Sequence, residues 1–158
     1  MVDLSRRGFF RAKPRPRAEL RPPWALPENV FVDRCTRCGD CIRLCPSTIL
    51  MPGDGGFPTL DFRRGECTFC ADCVSSCLPQ ALQKQADAPP WQLRARIGEA
   101  CLPRQGIECR SCGDFCDARA IRFTPRLGGS PIPEIDDDRC TGCGACVAPC
   151  PAIAISVR

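Results

Sequence analysis

Sixteen cysteines dominate the chemistry that this 158-residue chain can perform. Most of them lie in four short runs: CTRCGDCIRLC from Cys35, CTFCADCVSSC from Cys67, CRSCGDFC from Cys109 and CTGCGACVAPC from Cys140. The chain contains no histidine, which excludes mixed cysteine–histidine zinc sites, haem attachment motifs and histidine-based acid–base catalysis. Metal binding by thiolates is therefore the chemistry to expect.

Three of the runs have the spacing C-x2-C-x2-C-x3-C, which is the ligand pattern of bacterial ferredoxins for [4Fe–4S] clusters. Cysteines three residues apart on a looping backbone place three thiolates on three corners of one cubane. The fourth cysteine, carried by a helical turn, points to the cluster of the partner run. We therefore expect the two runs of a pair to exchange their fourth ligands.

This exchange divides the sixteen cysteines into four sets of four, with none left over. The third run is stretched to C-x7-C-x2-C-x3-C, so that the isolated Cys101 completes it. The sets are site I (Cys35, Cys38, Cys41 and Cys77), site II (Cys67, Cys70, Cys73 and Cys45), site III (Cys101, Cys109, Cys112 and Cys150) and site IV (Cys140, Cys143, Cys146 and Cys116). We expect each set to ligate one [4Fe–4S] cluster, which makes four clusters.

Two other interpretations use the same cysteines. Four all-cysteine zinc sites are one, although zinc motifs usually pair two separated C-x2-C units. A disulfide scaffold is the other, but it suits secreted chains with a cleaved apolar signal, and none is visible. Clusters are favoured because each regular run places three thiolates within seven residues.

Residues beside the ligands give two further expectations. Glycines between ligands, such as Gly142 and Gly144, allow backbone N–H groups to approach sulfur, although plain turn glycines explain them equally well. Pro46 and Pro151 follow the last cysteine of two runs, whereas the third run has Asp117. The sequence therefore predicts a more exposed or more labile third cluster.

The spacing of the runs predicts two similar modules, each built from two runs. A short apolar segment follows each run, and glycine-rich turns after two of these segments predict hairpins. The candidate strands are residues 48–51, 57–62, 81–83, 120–124, 132–135 and 152–157. We expect an α+β fold of two tandem 2[4Fe–4S] ferredoxin-like modules with short hairpins and short helices, at residues 29–90 and 91–158, after a disordered basic tail at residues 1–28.

The sequence carries no sign of an independent catalytic site. It has no Walker loop, no dinucleotide fingerprint and no nucleophile paired with a base. Its longest apolar runs are far too short to span a bilayer. We therefore expect an iron–sulfur protein that is not itself an enzyme and has no membrane span.

The chain resembles the NapF family, the ferredoxin-type accessory proteins of bacterial periplasmic nitrate reductase systems. The matching features are Ser-Arg-Arg-Gly at residues 5–8, Arg-Pro-Pro-Trp at residues 21–24, two ferredoxin modules and the stretched third site, IGEACLPRQGIECRSCGDFC. The resemblance implies a cytoplasmic protein that binds the catalytic molybdenum subunit, NapA, before export and assists maturation of its [4Fe–4S] cluster. The alternative function is a multi-cluster electron-transfer protein or subunit.

The basic N-terminal residues bear on location. Residues 5–10, SRRGFF, resemble the head of a twin-arginine export signal, but four basic residues and two prolines follow where such a leader needs an apolar segment. We therefore expect retention in the cytoplasm and a tail that docks partners. Seven basic and two acidic side chains in residues 1–21 make weak binding to polyanions the alternative role of the tail, although no nucleic-acid partner is expected.

Overall fold

The computed structural model describes residues 19–86 and 88–158. In this part of the chain the helices are α1 (Glu28–Arg34), α2 (Asp40–Arg43), α3 (Asp72–Ser75) and α4 (Ser111–Asp114), with 3-10 turns at Asp54–Gly56 and Leu102–Gln105. The strands are β1 (Leu50–Pro52), β2 (Pro58–Leu60), β3 (Ala95–Ile97), β4 (Ile121–Arg126), β5 (Gly129–Ile135) and β6 (Ile155–Val157). The predicted α+β class is confirmed, whereas residues 1–18 of the predicted disordered tail lie outside the described residues.

Each module contains an antiparallel hairpin and a second strand pairing that closes it. The hairpins are β1–β2 and β4–β5, both of which the glycine-rich turns predict. In the second module β3 pairs with β6, and Ala95 lies opposite Val157. In the first module the counterpart is a single bridge between Ala25 and Leu82. The expected strand at residues 81–83 is thus only a bridge, and β3 was not anticipated.

A Pro-Pro-Trp triplet precedes the cysteine runs of both modules, at residues 22–24 and again at residues 89–91. Trp24 is buried, and its backbone N–H donates to the carbonyl oxygen of Pro90 at 2.7 Å. The indole N–H of Trp91 donates to the carbonyl oxygen of Thr141 at 2.9 Å. The internal repeat therefore begins ahead of the cysteine runs, and its tryptophans join segments that are distant in sequence.

Arg21 ties the end of the predicted tail to the first module. Its side chain is only 15% exposed, and its guanidinium forms ion pairs with Glu19 at 2.8 Å and Glu28 at 2.7 Å. It also lies over the rings of Phe31 and Phe57, 5.1 and 5.4 Å from their centroids. The hydrogen bond from Arg21 is the main reason that the pKa of Glu28 is lowered. Residues 19–28 thus pack against the module, so the prediction of a disordered tail is wrong for these residues, and the domain boundaries stay predictions.

The apolar core is small. Phe31 and Ile49 are the largest fully buried side chains in the described residues, and they pack with the leucines of β1 and β2. Cysteines occupy much of the remaining interior, since Cys73, Cys112 and Cys146 belong to the same buried cluster. A chain with so little apolar burial needs cross-links, which metal–thiolate bonds can provide.

A left-handed residue follows each run, three positions after its last cysteine. These residues are Thr48, Gln80, Arg119 and Ile153, with φ values of 51°, 56°, 48° and 49°. The conformation turns the chain from the last cysteine toward the strand or bridge that follows. Thr48 and Ile153 are the least suited of the four, because β-branched side chains clash with the backbone in this region.

Replacing this isoleucine should stabilise the protein. Asn tolerates the left-handed region, so Ile153→Asn should raise the free energy of unfolding by about 1 kcal/mol. Little burial is lost, because Ile153 is 79% exposed. Anaerobic guanidinium unfolding, followed by circular dichroism, measures the change.

Ile107→Asn is the matched control, since Ile107 is 52% exposed and does not have a positive φ. It should give no comparable gain. Equal gains from both variants would assign the effect to removal of exposed apolar surface and not to backbone relief.

Candidate metal centres

Four cavities in the described residues are each lined by four cysteines. The space without protein atoms at each site, part of which is open to solvent, is about 400 Å³ at site I, 340 Å³ at site II, 320 Å³ at site III and 350 Å³ at site IV. Every cysteine lines the cavity of the set to which the sequence assigns it, including Cys101 at site III. The structure thus brings the sixteen cysteines together in the predicted groups, while their ligation of iron stays a prediction.

The shape of these cavities fits a multi-atom cluster. In residues 19–86 and 88–158, no group of three or more Cys, Asp or Glu side chains is arranged to hold one metal ion. The four thiols of each set instead surround a space several atoms across, whose other walls are largely apolar, such as Pro103, Pro133 and Ala152 at site III. Four thiolates around a space with largely apolar walls are what a [4Fe–4S] cubane requires.

One helical turn carries the last cysteine of a run to the other site of its module. Cys45 follows α2 and lines site II, whereas Cys77 follows α3 and lines site I. In the second module Cys116 follows α4 and lines site IV. Residues 145–149 form turns instead of a helix, yet Cys150 still reaches site III. The predicted exchange of fourth cysteines is therefore present as an arrangement of side chains.

Left-handed residues fold the three regular runs around their cavities. They lie directly before and after the second cysteine, at Arg37 and Gly39, Phe69 and Ala71, and Gly142 and Gly144. The two reversals bring three thiols spaced three residues apart onto one side of the loop. In the stretched third run, the 3-10 turn Leu102–Gln105 returns the chain from Cys101 toward Cys109.

Backbone N–H groups of alanines outside the loops donate hydrogen bonds to sulfur. The N–H groups of Ala120 and Ala154 donate to the Sγ atoms of Cys116 and Cys150, each at 3.3 Å. Both alanines lie four residues after the last cysteine of a run, immediately beyond the left-handed residue. Sequence reasoning placed such donors at the inter-ligand glycines and missed these positions. Hydrogen bonds of this kind stabilise negative charge on a thiolate and tune a bound cluster.

Burial opposes ionisation of the thiols. The pKa of Cys41 and Cys112 is raised to about 11. Desolvation is the largest cause, and repulsion by neighbouring cysteine thiolates is the next. Desolvation likewise raises the pKa of Cys73 and Cys146 to about 12. These thiols hold their protons at neutral pH, so a metal that binds them as thiolates must displace the protons.

Exposure of the thiols differs between the modules. Cys38 at site I and Cys70 at site II are exposed, whereas every cysteine of sites III and IV is buried or intermediate. The expected greater exposure of the third cluster is therefore wrong. The exchange of fourth cysteines also places the residues that follow the runs at the other site of the module, since Pro151 lines site III, while Asp117 follows a cysteine of site IV.

Comparison with known proteins identifies the type of site. A family model described as the 4Fe-4S dicluster domain matches residues 34–81 and 107–154. The two matches coincide with the two pairs of cysteine runs. The chain thus carries two [4Fe–4S] dicluster domains, and the zinc and disulfide interpretations are set aside.

Relatives match nearly the whole chain. Ferredoxin-type protein NapF of Escherichia coli (strain K12) is 42% identical over 158 residues, which cover 99% of this chain and 96% of that protein. NapF of Haemophilus influenzae is 48% identical over 139 residues, which cover 88% of this chain and 78% of that protein. The methylamine utilization ferredoxin-type protein MauM of Methylobacillus flagellatus is 35% identical over 171 residues, covering 96% and 72%.

The helices of the described residues are all too short, or too polar, to cross a membrane. The longest, α1, has seven residues and carries charged side chains at both ends.

Removal of Cys101 should empty one site. We expect Cys101→Ala to lose one quarter of the iron and acid-labile sulfide of the anaerobically purified protein, because one of four thiolates of site III is missing. Ser111→Ala is the control, since the Ser111 hydroxyl lies 3.7 Å from the Cys109 sulfur without being a proposed ligand. Full iron content in Cys101→Ala would contradict this assignment.

Proposed function

The chain belongs to the NapF family of ferredoxin-type iron–sulfur proteins, and we propose that it is a four-[4Fe–4S] accessory protein of a periplasmic nitrate reductase. In this proposal it acts in the cytoplasm, binds the precursor of the catalytic subunit NapA and assists maturation of that subunit's iron–sulfur cluster before export. The observation that carries the proposal is the group of four four-cysteine cavities on a chain similar to NapF over almost its whole length.

The first module is the favoured source of donated clusters. Transfer requires thiols of the acceptor to reach the cluster while the donor thiols leave. Cys38 and Cys70 are exposed, so sites I and II each offer one ligand position to an incoming thiol. The second module has no exposed cysteine, which favours retention of its clusters.

A second candidate function is electron transfer. It is favoured by the contact between the modules, where the N–H of Cys67 donates to the carbonyl oxygen of Cys143 at 2.8 Å. This hydrogen bond places a cysteine of site II beside one of site IV. Clusters that lie next to each other exchange electrons readily, since the rate of electron tunnelling falls steeply with distance.

An isotope experiment separates the two functions. Protein loaded with ⁵⁷Fe is mixed anaerobically with cluster-free NapA precursor, and the two are separated again. We expect up to half of the label to move to NapA, from sites I and II, together with recovery of nitrate reduction. Cys38→Ser should lower the amount of label that reaches NapA, because site I loses one of its four ligands and with it its cluster, and Ser111→Ala is the control.

Label that stays on the donor, with no recovery of nitrate reduction, would exclude donation. If the clusters also survive repeated anaerobic redox cycling without loss of iron, electron transfer becomes the supported function. Slow loss of ⁵⁷Fe from all four sites at the same rate would contradict the assignment of donation to the first module.

The role of the basic tail can be tested without disturbing the module. A deletion of residues 1–18 keeps Arg21 and its contacts with Glu28 and Phe31. We expect the shortened protein to keep its iron and to capture NapA precursor less well, because the docking tail is gone. If the shortened protein captures NapA precursor as well as the full chain does but no longer retains nucleic acid, the tail would instead be a polyanion-binding segment.

A further inference from the structure

The two modules meet at a compact contact that we name the junction, formed by Phe62, Phe69, Trp91, Cys67, Cys143 and Gly144. Trp91 lies between two rings of the first module, with centroids 6.0 Å from Phe62 and 5.4 Å from Phe69, both edge-on. The indole N–H of Trp91 then reaches the fourth run through the carbonyl oxygen of Thr141. The junction thus joins the second and fourth cysteine runs.

Gly144 lies at the contact between the modules, next to the ring of Phe62. A Cβ atom at this position would overlap the ring of Phe62. Gly142 is similarly crowded, since its Cβ would overlap the carbonyl group of Leu93. Both residues have positive φ, but this conformation does not itself demand glycine in these loops, because Arg37 and Ala71 adopt it in the first module. A side chain is excluded at Gly144 because the backbone of this residue lies so close to the ring of Phe62.

The junction orders the four sites. Sites I and II adjoin because Cys45 and Cys77 cross between the first two runs, and sites III and IV adjoin through the crossing of Cys116 and Cys150. Only one link between the modules is then needed to make a continuous series. The hydrogen bond from Cys67 of site II to Cys143 of site IV supplies it.

We propose that Gly144 is a positioning residue that holds site II against site IV, so that the four sites form one row in the order I, II, IV, III. This order differs from the order of the runs in the sequence. The proposal rests on the proposed function in one respect, namely that the cavities hold iron–sulfur clusters. It assigns the two outer positions of the row to sites I and III, and the exposed Cys38 belongs to one of them.

The test compares two alanine variants of the full chain. Gly144→Ala adds a methyl group that overlaps Phe62, whereas Gly106→Ala adds one where no atom lies within 4 Å. The φ values are 85° and 83°, so both variants carry the same backbone cost. Any difference between them therefore comes from the close approach at the junction.

The first measurement is amide hydrogen exchange at Cys67, which reads the junction directly. Displacing the modules breaks the bond from Cys67 to Cys143, so we expect exchange about tenfold faster in Gly144→Ala and unchanged in Gly106→Ala. Unchanged exchange in Gly144→Ala would overturn the positioning role, whatever metal the protein holds.

The second measurement is electron paramagnetic resonance of the dithionite-reduced protein, in a background where Cys38→Ser and Cys101→Ser leave only sites II and IV intact. Half the wild-type iron confirms that this background is suitable. We then expect a spectrum broadened by spin–spin interaction, which narrows to that of isolated centres when Gly144→Ala is added. Half the wild-type iron without a spin–spin interaction would overturn the proposed order of the sites. Iron absent from every variant would instead refute the proposed function. Hydrogen exchange at Cys67 would then still decide whether Gly144 positions the modules.

Discussion

The structure depends on the gathering of four thiols around each of four cavities. Burial makes this gathering costly for an ionised thiol, as the pKa values of Cys73 and Cys146, raised to about 12, indicate. A metal cluster reverses that cost, because it replaces the protons and bonds to all four sulfurs at once. The short helices and the left-handed residues bring the cysteines to these positions.

This constraint explains why the fold needs so little regular structure. Its helices and strands are short, and Phe31 and Ile49 are its largest fully buried side chains in the described residues. Because the runs exchange their fourth cysteines, each site holds cysteines of both runs of its module, and a cluster bound there would cross-link the two halves of the module. Folding of each module and loading of its clusters should therefore be one coupled process, as in other small metal-dependent domains.

Much of the site was predictable, because ligand spacing is a local property. The four cysteine sets follow from the C-x2-C-x2-C-x3-C pattern and from counting, which also assigns Cys101. The hairpins follow from glycine-rich turns. The pairing of β3 with β6 was missed because Ala95–Ile97 is a short strand with no turn signal beside it, although the repeated Pro-Pro-Trp triplet marks the segment that leads into it. The alanine donors to sulfur were missed because N–H direction depends on the left-handed residue before them.

The sequence by itself determined which cysteines belong together, since a loop of fixed spacing can present its thiols to only one centre and its last thiol to the neighbouring one. It also determined the family, the two modules and the type of cluster. Only the tertiary structure decided how the modules face each other, which thiols are exposed and which site lies beside which. Those properties depend on contacts such as Trp91 with Phe62 and Cys67 with Cys143, whose partners are far apart in the chain and carry no local signal of each other.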